Sequence, residues 1–414
     1  MRIIYLSKRF LNAFWAVPFV LIIRIIEPVL SIKILFLYSK RIGHFVCDSV
    51  LQAIKLEHLP KNVRHIIWFE EPSSNSQWSK MVLRNLPSNP LFENIDYWNR
   101  KIPGGEKHSQ DSIVHSTSRD TEGLVGRSSF EFSFLEDEEA KALKWLQSFG
   151  WKKGEPFVCL IVRDNSYLEQ SEHLKDFKVD WSYHSYRNSD ISDYKLAIKW
   201  LVGQGAWVIR MGKIVSKPLG LDHPRIIDYP FEETKCDLLD IWLFSKCDLC
   251  ISTLLGADEI SSAFRRPKLH INFVPLFDIH SWANAMCVPK KLFWIESGKE
   301  LNLEEYLKHC YISSDRYEKA GIDIKNLSSN EILESVKECW EDVTNNFSIK
   351  RNISAQKEFW SILMKTQEKY HGMTLPLSNT QFLEKKHGWI HPQARMANTW
   401  LESRNEDFFK AEFN

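Results

Sequence analysis

The sequence predicts an α/β protein with two halves, each built on a parallel β-sheet covered by helices. The chain has 414 residues, which is more than a single hydrophobic core of ordinary size usually serves. Continuous apolar runs alternate with segments of helical periodicity, a pattern typical of strands that are buried on both faces and joined by helical crossovers. The segment at residues 152–156, which contains Lys, Gly and Pro, marks a junction between the two halves.

The first half begins like an α/β unit, with a strand, a glycine-containing turn and a helix. Residues 87–127 are rich in Gly, Ser, His and charged residues, so we expect a long loop there, and such loops are often functional. Acidic residues at the start of the last helix suit the helix dipole, and Gly150 ends that helix. The predicted elements are strands at 32–39 and 65–70 and helices at 46–57, 76–86 and 135–151.

The second half alternates strands and helices more regularly, which indicates a parallel sheet with right-handed crossovers. Its predicted strands lie at 156–164, 206–212, 225–229, 247–253 and 268–273, and its predicted helices at 193–205, 236–246 and 256–266. Beyond about residue 300 the chain becomes helical and charged, with the clearest helices at 330–347 and 356–373. We therefore expect four segments, at residues 1–30, 31–150, 151–330 and 331–414.

Composition narrows the class of protein. A hydrophobic content of 44% with 26% charged residues indicates a globular chain. The net charge of +1 argues against a broad nucleic-acid-binding surface. Most of the eight cysteines lie in apolar runs, as buried, reduced thiols do. Cys247 and Cys250 form a CxxC pair, but zinc usually needs a second pair, and the sequence has none.

The N-terminal segment is apolar but short. Residues 10–23 carry no charge, whereas a membrane-spanning helix needs about 20 apolar residues. Pro18 and Pro28 are expected to interrupt any long helix. Lys8, Arg9 and Arg24 accompany bulky apolar residues, which favours a helix lying in a membrane interface. The alternative is a helix packed on the protein itself.

Polar and charged side chains follow three predicted strands of the second half. The carboxyl ends of parallel strands meet at one edge of a sheet, which is where such folds bind ligands. We therefore expect these residues to lie close together. They are Arg163 and Asp164, then Arg210, Gly212 and Lys213, and finally Ser252 and Thr253.

The stretch YHSYRNSDISDY, residues 183–194, brings a second set of polar groups to the same edge. It contains His184, Arg187, Asn188 and Asp190 just before a predicted helix. A helix N-terminus and several guanidinium groups make a good anion site. Simple ion pairs between an Arg and an Asp at a strand end are the alternative, and exposed pairs of that kind contribute little to stability.

An anion site of this kind suits a nucleotide diphosphate leaving group, because fixed cations stabilise the charge that develops on its phosphate oxygens. The sequence has no Asp-x-Asp motif, so we expect no metal. A base must also take a proton from the acceptor hydroxyl. His44 in the loop after the first strand is one candidate, and Asp164 and His184 are the others. P-loop, dinucleotide-binding and nucleophile-elbow motifs do not occur.

Five blocks of the sequence resemble a bacterial family of glycosyltransferases from surface-polysaccharide gene clusters. They are RIGHF, WNRKIPGG, CLIVRDNSYL, YHSYRNSDI and WVIRMG, and the resemblance covers most of residues 40–300. HSYRNSDI followed by VIRMG is the most specific pair. The matching blocks contain Arg163, Arg187, Asn188, Asp190, Arg210 and Gly212.

The resemblance implies a GT-B fold, in which two Rossmann-like domains face a central cleft. Residues 31–150 would form the acceptor domain and residues 151–330 the nucleotide-sugar donor domain. The implied role is the synthesis of O-antigen or capsule. The donor half of such folds usually has a Gly- and Ser-containing turn, and here Leu254 and Leu255 stand where smaller residues are expected.

The leading hypothesis is therefore a metal-independent, inverting transfer of a sugar from a nucleotide-sugar to a glycan or lipid-linked acceptor. It implies a cytoplasmic protein held peripherally on the inner membrane through residues 1–30. Two alternatives remain. One is a non-catalytic subunit that binds nucleotide-sugars or glycans in an assembly complex, and the other is a polyol-phosphate transferase.

Overall fold

The computed structural model describes residues 2–111, 118–170, 181–345, 352–374, 381–382 and 386–410. The chain forms two compact units. The N-terminal unit comprises Met1–Asp120 and Arg127–Leu135, and the C-terminal unit comprises Thr121–Gly126 and Glu136–Asn414.

Parallel strands form the sheet of the N-terminal unit, in the order β2-β1-β3. The elements up to residue 127 are α1 (Arg2–Ile26), β1 (Ser31–Leu37), α2 (Ile42–Leu56), β2 (Val63–Phe69), α3 (Ser76–Asn85), α4 (Phe92–Lys101), β3 (Ser109–Asp111) and α5 (Leu124–Arg127). The predicted loop at residues 87–127 was wrong in part, because it contains α4, β3 and α5. Helix α4 was not predicted because two of the side chains that it buries, Asp96 and Asn99, are polar and interrupt the apolar periodicity.

Helix α1 is continuous for 25 residues and passes through Pro18, so the expected interruption there was wrong. Packing supplies the reason: Ala16, Val20 and Ile23 are buried in a cluster with Ile34 and Ile95, which holds the helix across the proline. Within the described part of the chain, no helix is both long and apolar enough to cross a membrane.

Arg24 has a structural role at the end of α1. Its guanidinium donates to the side chain and carbonyl of Asn99 and to the carbonyls of Ile102 and Pro103. This cation therefore anchors the end of the helix to the unit, whereas the membrane contact of α1 stays a prediction.

The C-terminal unit is built on a seven-stranded sheet in the order β14-β9-β8-β7-β4-β5-β6, with all neighbouring strands parallel. Its strands are β4 (Phe157–Ile161), β5 (Trp207–Arg210), β6 (Ile226–Asp228), β7 (Leu249–Ser252), β8 (Lys268–Phe273), β9 (Ala285–Pro289) and β14 (Arg395–Met396). Two small antiparallel pairs lie outside it, β10 (Lys291–Trp294) with β11 (Ile322–Lys325), and β12 (Met373–Thr374) with β13 (Gln381–Phe382).

Helices cover this sheet, and both faces of its central strands are buried. They are α6 (Glu136–Ser148), α7 (Ser166–Gln170), α8 (Lys195–Gly203), α9 (Asp237–Lys246), α10 (Glu259–Ala263), α11 (Leu303–Lys308), α12 (Ser314–Lys319), α13 (Ser329–Thr344), α14 (Ile353–Tyr370), α15 (Asn398–Glu402) and α16 (Glu406–Phe409). The predicted α/β class and the two parallel sheets are confirmed, whereas the cleft between the halves stays a prediction.

Two segment boundaries differ from the predicted ones. Helix α6 belongs to the C-terminal unit, because the indole of Trp145 donates to Thr234 and packs edge-on against Tyr229. The unit thus begins near residue 136 and not at 151. The last segment is not purely helical either, because β14 completes the sheet and Phe359 and Trp400 lie in its core.

Candidate functional site

The strand order of the C-terminal unit reverses between β4 and β7, and such a switch point opens a crevice at the carboxyl ends of the strands. A hydrogen bond connects the segment that follows β4 to the segment that follows β7. The amide of Arg163 donates to Thr253 Oγ1 at 3.0 Å. Leu254 follows with a φ of 60°, a left-handed conformation that is strained for a residue with a bulky side chain and is often found at functional sites.

Three cations meet at this crevice. Arg163 follows β4, Lys290 follows β9, and Arg187 ends a 3-10 helix over Trp181–Arg187. Arg187 Nη2 donates to the carbonyl of Leu254 at 2.7 Å. Lys290 Nζ donates to the carbonyls of Tyr186 at 2.9 Å and Asn188 at 2.5 Å. We call Arg163, Arg187 and Lys290 the cation cluster.

The cation cluster is partly removed from water, and its charges repel one another. Burial, followed by the charge of Arg187, lowers the pKa of Arg163 to about 10. Burial, followed by Arg163 and Arg187, lowers the pKa of Lys290 to about 7. Arg163 Nε is buried and has no hydrogen-bond partner among the described residues. A bound anion would relieve this repulsion and supply the missing acceptor.

Sequence reasoning predicted Arg163 and Arg187 but missed Lys290. The strand before Lys290 was not among the predicted ones, although the apolar run at 285–289 is a signal for it. Lys290 lies about 100 residues beyond Arg187 in the chain. Its side chain is only 2% exposed, and it reaches the site because β9 lies two strands from β7 in the sheet.

A polar cavity of about 370 Å³ also opens in this part of the unit. Its lining includes Asp164, Asn188, Asp190, Arg210 and Lys217. Both sets of predicted residues, from the strand ends and from the 183–194 stretch, therefore contribute to it. The Oδ1 atom of Asn188 is buried and lacks a hydrogen-bond partner within the described ranges, so the cavity wall offers an amide oxygen to a ligand.

The two carboxylates of this cavity are engaged in structural contacts. Asp164 accepts hydrogen bonds from the amide of Ser166 and from the amide and hydroxyl of Ser216. Asp190 caps the 3-10 helix before α8 by accepting from the amide of Ser192. A hydrogen bond from Lys217, followed by that cap, lowers the pKa of Asp190 to about 2. A carboxylate held like Asp164 is a poor candidate for a base.

Three predicted anion ligands turn out to have other roles. Arg210 is 2% exposed, and its guanidinium pairs with Asp228 at 3.3 Å and donates to the carbonyl of Lys217. Lys213 pairs with Asp237 at 2.9 Å. Gly212 has a φ of 146°, and a Cβ there would lie 2.9 Å from Val215, so this position requires glycine for conformational reasons. Arg210 and Lys213 are thus neutralised by their own carboxylates, contrary to the prediction.

Ser252 and Thr253 support the turn after β7. Ser252 donates a short hydrogen bond to Asp258, whose carboxylate also accepts from the amide of Leu255. The Thr253 hydroxyl accepts a hydrogen bond from the backbone amide of Arg163. These contacts fix the position of Leu254, whose carbonyl accepts a hydrogen bond from the Arg187 guanidinium. The hydroxyls of Ser252 and Thr253 therefore act as positioning groups.

Asp258, His270 and His280 form a cluster with the spacing of metal ligands, since their ligand atoms lie within 4.8 Å of one another. A resident cation is already present, however. Lys268 Nζ lies 3.7 Å from Asp258 Oδ1 and 3.3 Å from His280 Nδ1. The lysine ammonium balances the buried carboxylate, so this donor set does not fit a metal well. The absence of a metal stays a prediction.

His44 lies in the first turn of α2 and not in a loop, as had been predicted. Its Nδ1 lies 2.5 Å from Ser118 Oγ. Burial lowers the pKa of His44 below its usual value. The charge of Asp48 raises this pKa, and the charges of Arg41 and Arg119 lower it further. His44 is therefore neutral at pH 7, as a general base must be.

His184 lies in the 3-10 helix that carries Arg187. Its ring centroid is 4.0 Å from that of Tyr183 and 6.2 Å from that of Tyr186. The hydroxyl of Ser314 joins this segment to α12, since it accepts from the amide of Tyr186 and donates to the carbonyl of Tyr183. His184 therefore lies in the same 3-10 helix as Arg187, in a segment that Ser314 holds through its backbone.

Comparison with known proteins adds only distant similarity. No family model matches the chain, and no curated protein matches it. Among solved structures, a glycosyl transferase family 9 protein from Veillonella parvula is 10% identical, with a TM-score of 0.43 over 76% of this chain and 98% of that one.

Two further similar structures come from E. coli. ADP-heptose lps heptosyltransferase II is 11% identical, with a TM-score of 0.42 over 76% of this chain and 99% of that one. Heptosyltransferase WaaC with ADP is 10% identical, with a TM-score of 0.37 over 77% of this chain and 100% of that one. Similarity at this level does not determine a family, and the geometry of the site carries the functional proposal.

Proposed function

We propose that this protein is a glycosyltransferase that moves a sugar from a nucleotide-sugar donor to a glycan or lipid-linked acceptor in bacterial surface-polysaccharide synthesis. The cation cluster carries this proposal. Two guanidinium groups and an ammonium group lie together beyond the strand ends, and the described hydrogen bonds of Arg187 and Lys290 go to backbone carbonyls. Such an arrangement suits a diphosphate, and the sequence blocks that resemble bacterial glycosyltransferases include Arg163 and Arg187.

The cluster would act on the leaving group. The acceptor oxygen attacks the anomeric carbon as its proton passes to a base. The bond between that carbon and the phosphate oxygen breaks, and the nucleoside diphosphate leaves with the electron pair. Arg163, Arg187 and Lys290 stabilise the negative charge that grows on the departing oxygens more than they stabilise the bound donor.

His44 is the base we favour. When its Nδ1–H donates to Ser118 Oγ, the Nε2 atom keeps the lone pair that can take the acceptor proton. Attack assisted by one base is consistent with inversion at the anomeric carbon. His184 is the alternative base, and Asp164 is disfavoured because both of its oxygens accept hydrogen bonds from Ser166 and Ser216.

The test is a panel of UDP-, GDP-, ADP- and CMP-sugars, with binding measured by calorimetry and release of the nucleotide measured by chromatography. We expect one donor to bind and to be hydrolysed slowly without acceptor. Binding without any turnover, with or without membrane glycolipids, would favour the non-catalytic subunit. No binding of any donor would contradict the proposal.

Lys290 makes anion binding dependent on pH. Because its pKa is lowered to about 7, the ammonium is charged at pH 6 and largely neutral at pH 8. An anion binds the charged form, so we expect the affinity for sulfate, which does not titrate in this range, to fall up to about tenfold per pH unit above pH 7. Equilibrium dialysis of sulfate from pH 6 to pH 9 measures this. Lys290→Met should bind more weakly and show a flat profile, and an equally steep profile in Lys290→Met would contradict this role.

We also propose that α1 attaches the protein peripherally to an anionic membrane on its cytoplasmic side. One face of α1, with Ala16, Val20 and Ile23, is buried on the N-terminal unit, and other described side chains of the helix are apolar and exposed. Residues 1–26 contain no acidic residue, and three basic residues besides Arg24, namely Arg2, Lys8 and Arg9, which suits anionic lipids. Among the described side chains of α1, the exposed apolar ones are Phe10, Leu11, Phe14, Phe19, Leu21, Ile22 and Ile25, and the exposed Val29 follows the helix.

Two substitutions on the open face test this attachment. Phe14 is 84% exposed and Ile25 is 75% exposed, so replacing both by Asp removes apolar surface without disturbing the core. We expect Phe14→Asp/Ile25→Asp to lower co-sedimentation with phosphatidylglycerol vesicles at least about tenfold. Leu83→Asp, at another exposed apolar side chain, is the matched control and should bind normally. Equal sedimentation of the double variant would contradict lipid binding, and a change in oligomeric state would point to a second copy of the chain.

A further inference from the structure

A second cleft of the C-terminal unit, of about 560 Å³, lies against the β10–β11 pair. It is larger than the polar cavity and is built differently, because its lining includes four aromatic side chains and three isoleucines. Helix α12 and the 3-10 helix over Trp181–Arg187 close it. We call it the hairpin cleft, and its lining residues include Ser185, Tyr186, Phe293, Trp294, Tyr317, Glu318, Asp323 and Lys325.

The register of the strand pair explains how an aromatic ring comes to face outward. Phe293 lies opposite Asp323, and the neighbouring cross-strand pair Leu292–Ile324 points to the other face. Leu292 is fully buried, so the face that carries Phe293 is the open one. Lys325 Nζ lies 4.6 Å from the centroid of the Phe293 ring. An aromatic ring is thus bordered by a carboxylate and an ammonium group.

Polar groups surround the aromatic wall. The Asp323 side chain is 49% exposed, and the hydroxyl of Ser185 lies 2.8 Å from that of Ser314. Deeper in the cleft, the rings of Tyr186 and Tyr317 lie 5.6 Å apart. The Tyr317 hydroxyl is buried and has no hydrogen-bond partner among the described residues. The cleft therefore combines flat apolar surface with donors and acceptors, as a site for a small polar molecule does.

A sugar ring matches these features. A pyranose has a face of C–H groups, which packs on an aromatic ring, and a rim of hydroxyls that both donate and accept hydrogen bonds. Asp323 accepts from hydroxyls, Lys325 donates to them, and Ser185 does either. The volume holds one or two sugar units. Asp323 also pairs with Lys325, whose Nζ lies 3.7 Å from the carboxylate, and the side chains of Lys325 and Asp323 are 58% and 49% exposed.

The cleft is connected to the cation cluster through one short segment. Tyr186 lines the cleft, its amide donates to Ser314, and its carbonyl accepts from Lys290. Arg187 follows it directly. A ligand in the hairpin cleft would therefore contact the same segment that positions the cations.

We propose that the hairpin cleft binds a sugar unit of a glycan, separately from the site that binds the donor phosphates. Such a site retains the glycan chain on the C-terminal unit. The inference rests on the proposed function only for the source of the glycan, because the cleft's chemistry alone indicates a carbohydrate.

The test uses saturation-transfer NMR on the full chain. The probes are the methyl glycosides of glucose, galactose, mannose, rhamnose, N-acetylglucosamine and N-acetylgalactosamine, each at millimolar concentration. We expect at least one to bind, and Phe293→Ala to weaken its binding about tenfold. Asp323→Asn, which keeps the shape of the side chain, should weaken it less. Ile353→Ala, at an exposed apolar position on α14 that does not line the cleft, is the matched control and should bind like the wild type.

Three outcomes would overturn the inference. They are binding of no glycoside, binding that survives Phe293→Ala undiminished, and Phe293-dependent binding of uridine or adenosine in place of a sugar. Unchanged thermal unfolding of each variant ensures that a lost signal reflects the cleft. Donor turnover by the wild type separates the two proposals: turnover without glycoside binding overturns only the cleft, and glycoside binding without turnover overturns only the transferase.

Discussion

Arg187→Ala should lower the turnover of the nucleotide-sugar about 10²- to 10³-fold, the effect typical of removing one group that stabilises a developing oxyanion. Arg187 is placed for this role by its neighbours. It lies next to Arg163 and Lys290 and is held by the carbonyl of Leu254. The measurement is kcat/KM for the donor that the panel identifies, with excess acceptor.

Controls separate loss of charge from loss of structure. Arg187→Lys keeps a positive charge but loses the planar pair of donors, so it should recover only part of the rate. Arg225→Ala, which removes an arginine paired with Glu155 elsewhere in the unit, should retain wild-type kcat/KM. Arg163→Ala should resemble Arg187→Ala, and the double variant should lose less than the product of the two effects, because both groups act on one leaving group. Wild-type kcat/KM in Arg187→Ala would remove the basis of the proposed function.

Arg210→Met should destabilise the C-terminal unit by about 3 kcal/mol, because it leaves the Asp228 carboxylate without its ion-pair partner, with the amide of Leu219 still donating to it. The Arg210 side chain is 2% exposed, and that of Asp228 is 23% exposed. Urea unfolding followed by tryptophan fluorescence measures the change in the free energy of unfolding. Asp228→Asn in the same chain removes the stranded charge, so the double variant should be more stable than Arg210→Met alone.

This prediction decides between two roles for Arg210. The sequence placed it among the phosphate ligands, whereas the structure pairs it with Asp228 and with the carbonyl of Lys217. An Arg210→Met protein of wild-type stability whose donor binding was weakened would return Arg210 to the anion site.

Local patterns were enough to predict much of the fold. The apolar runs that became β4, β7 and β8 are buried along their whole length, as strands in the middle of a parallel sheet must be. Helices α3, α9 and α13 were also predicted close to their observed bounds. Helix α4 and strand β14 were missed, because the first buries polar side chains and the second is only two residues long.

The candidate site was predictable only in part. Arg163 and Arg187 were found because each follows a strand or precedes a helix, and both positions lead to the ligand-binding edge of a parallel sheet. The same rule wrongly selected Arg210 and Lys213, because it takes no account of the carboxylates of Asp228 and Asp237. Those partners lie 18 and 24 residues further along the chain.

The amino-acid sequence by itself determined the α/β class, the apolar N-terminal helix and the general position of a charged edge. These follow from the spacing of side chains within one element, which the chain carries wherever that element lies. Only the tertiary structure decided which cations share one site. The order of the strands brings Lys290 beside Arg163 and Arg187, and it pairs Arg210 with Asp228. Burial and the two neighbouring guanidinium groups then lower the pKa of Lys290 to about 7. The charge state of a side chain depends on neighbours that are distant in the sequence, and no local pattern records them.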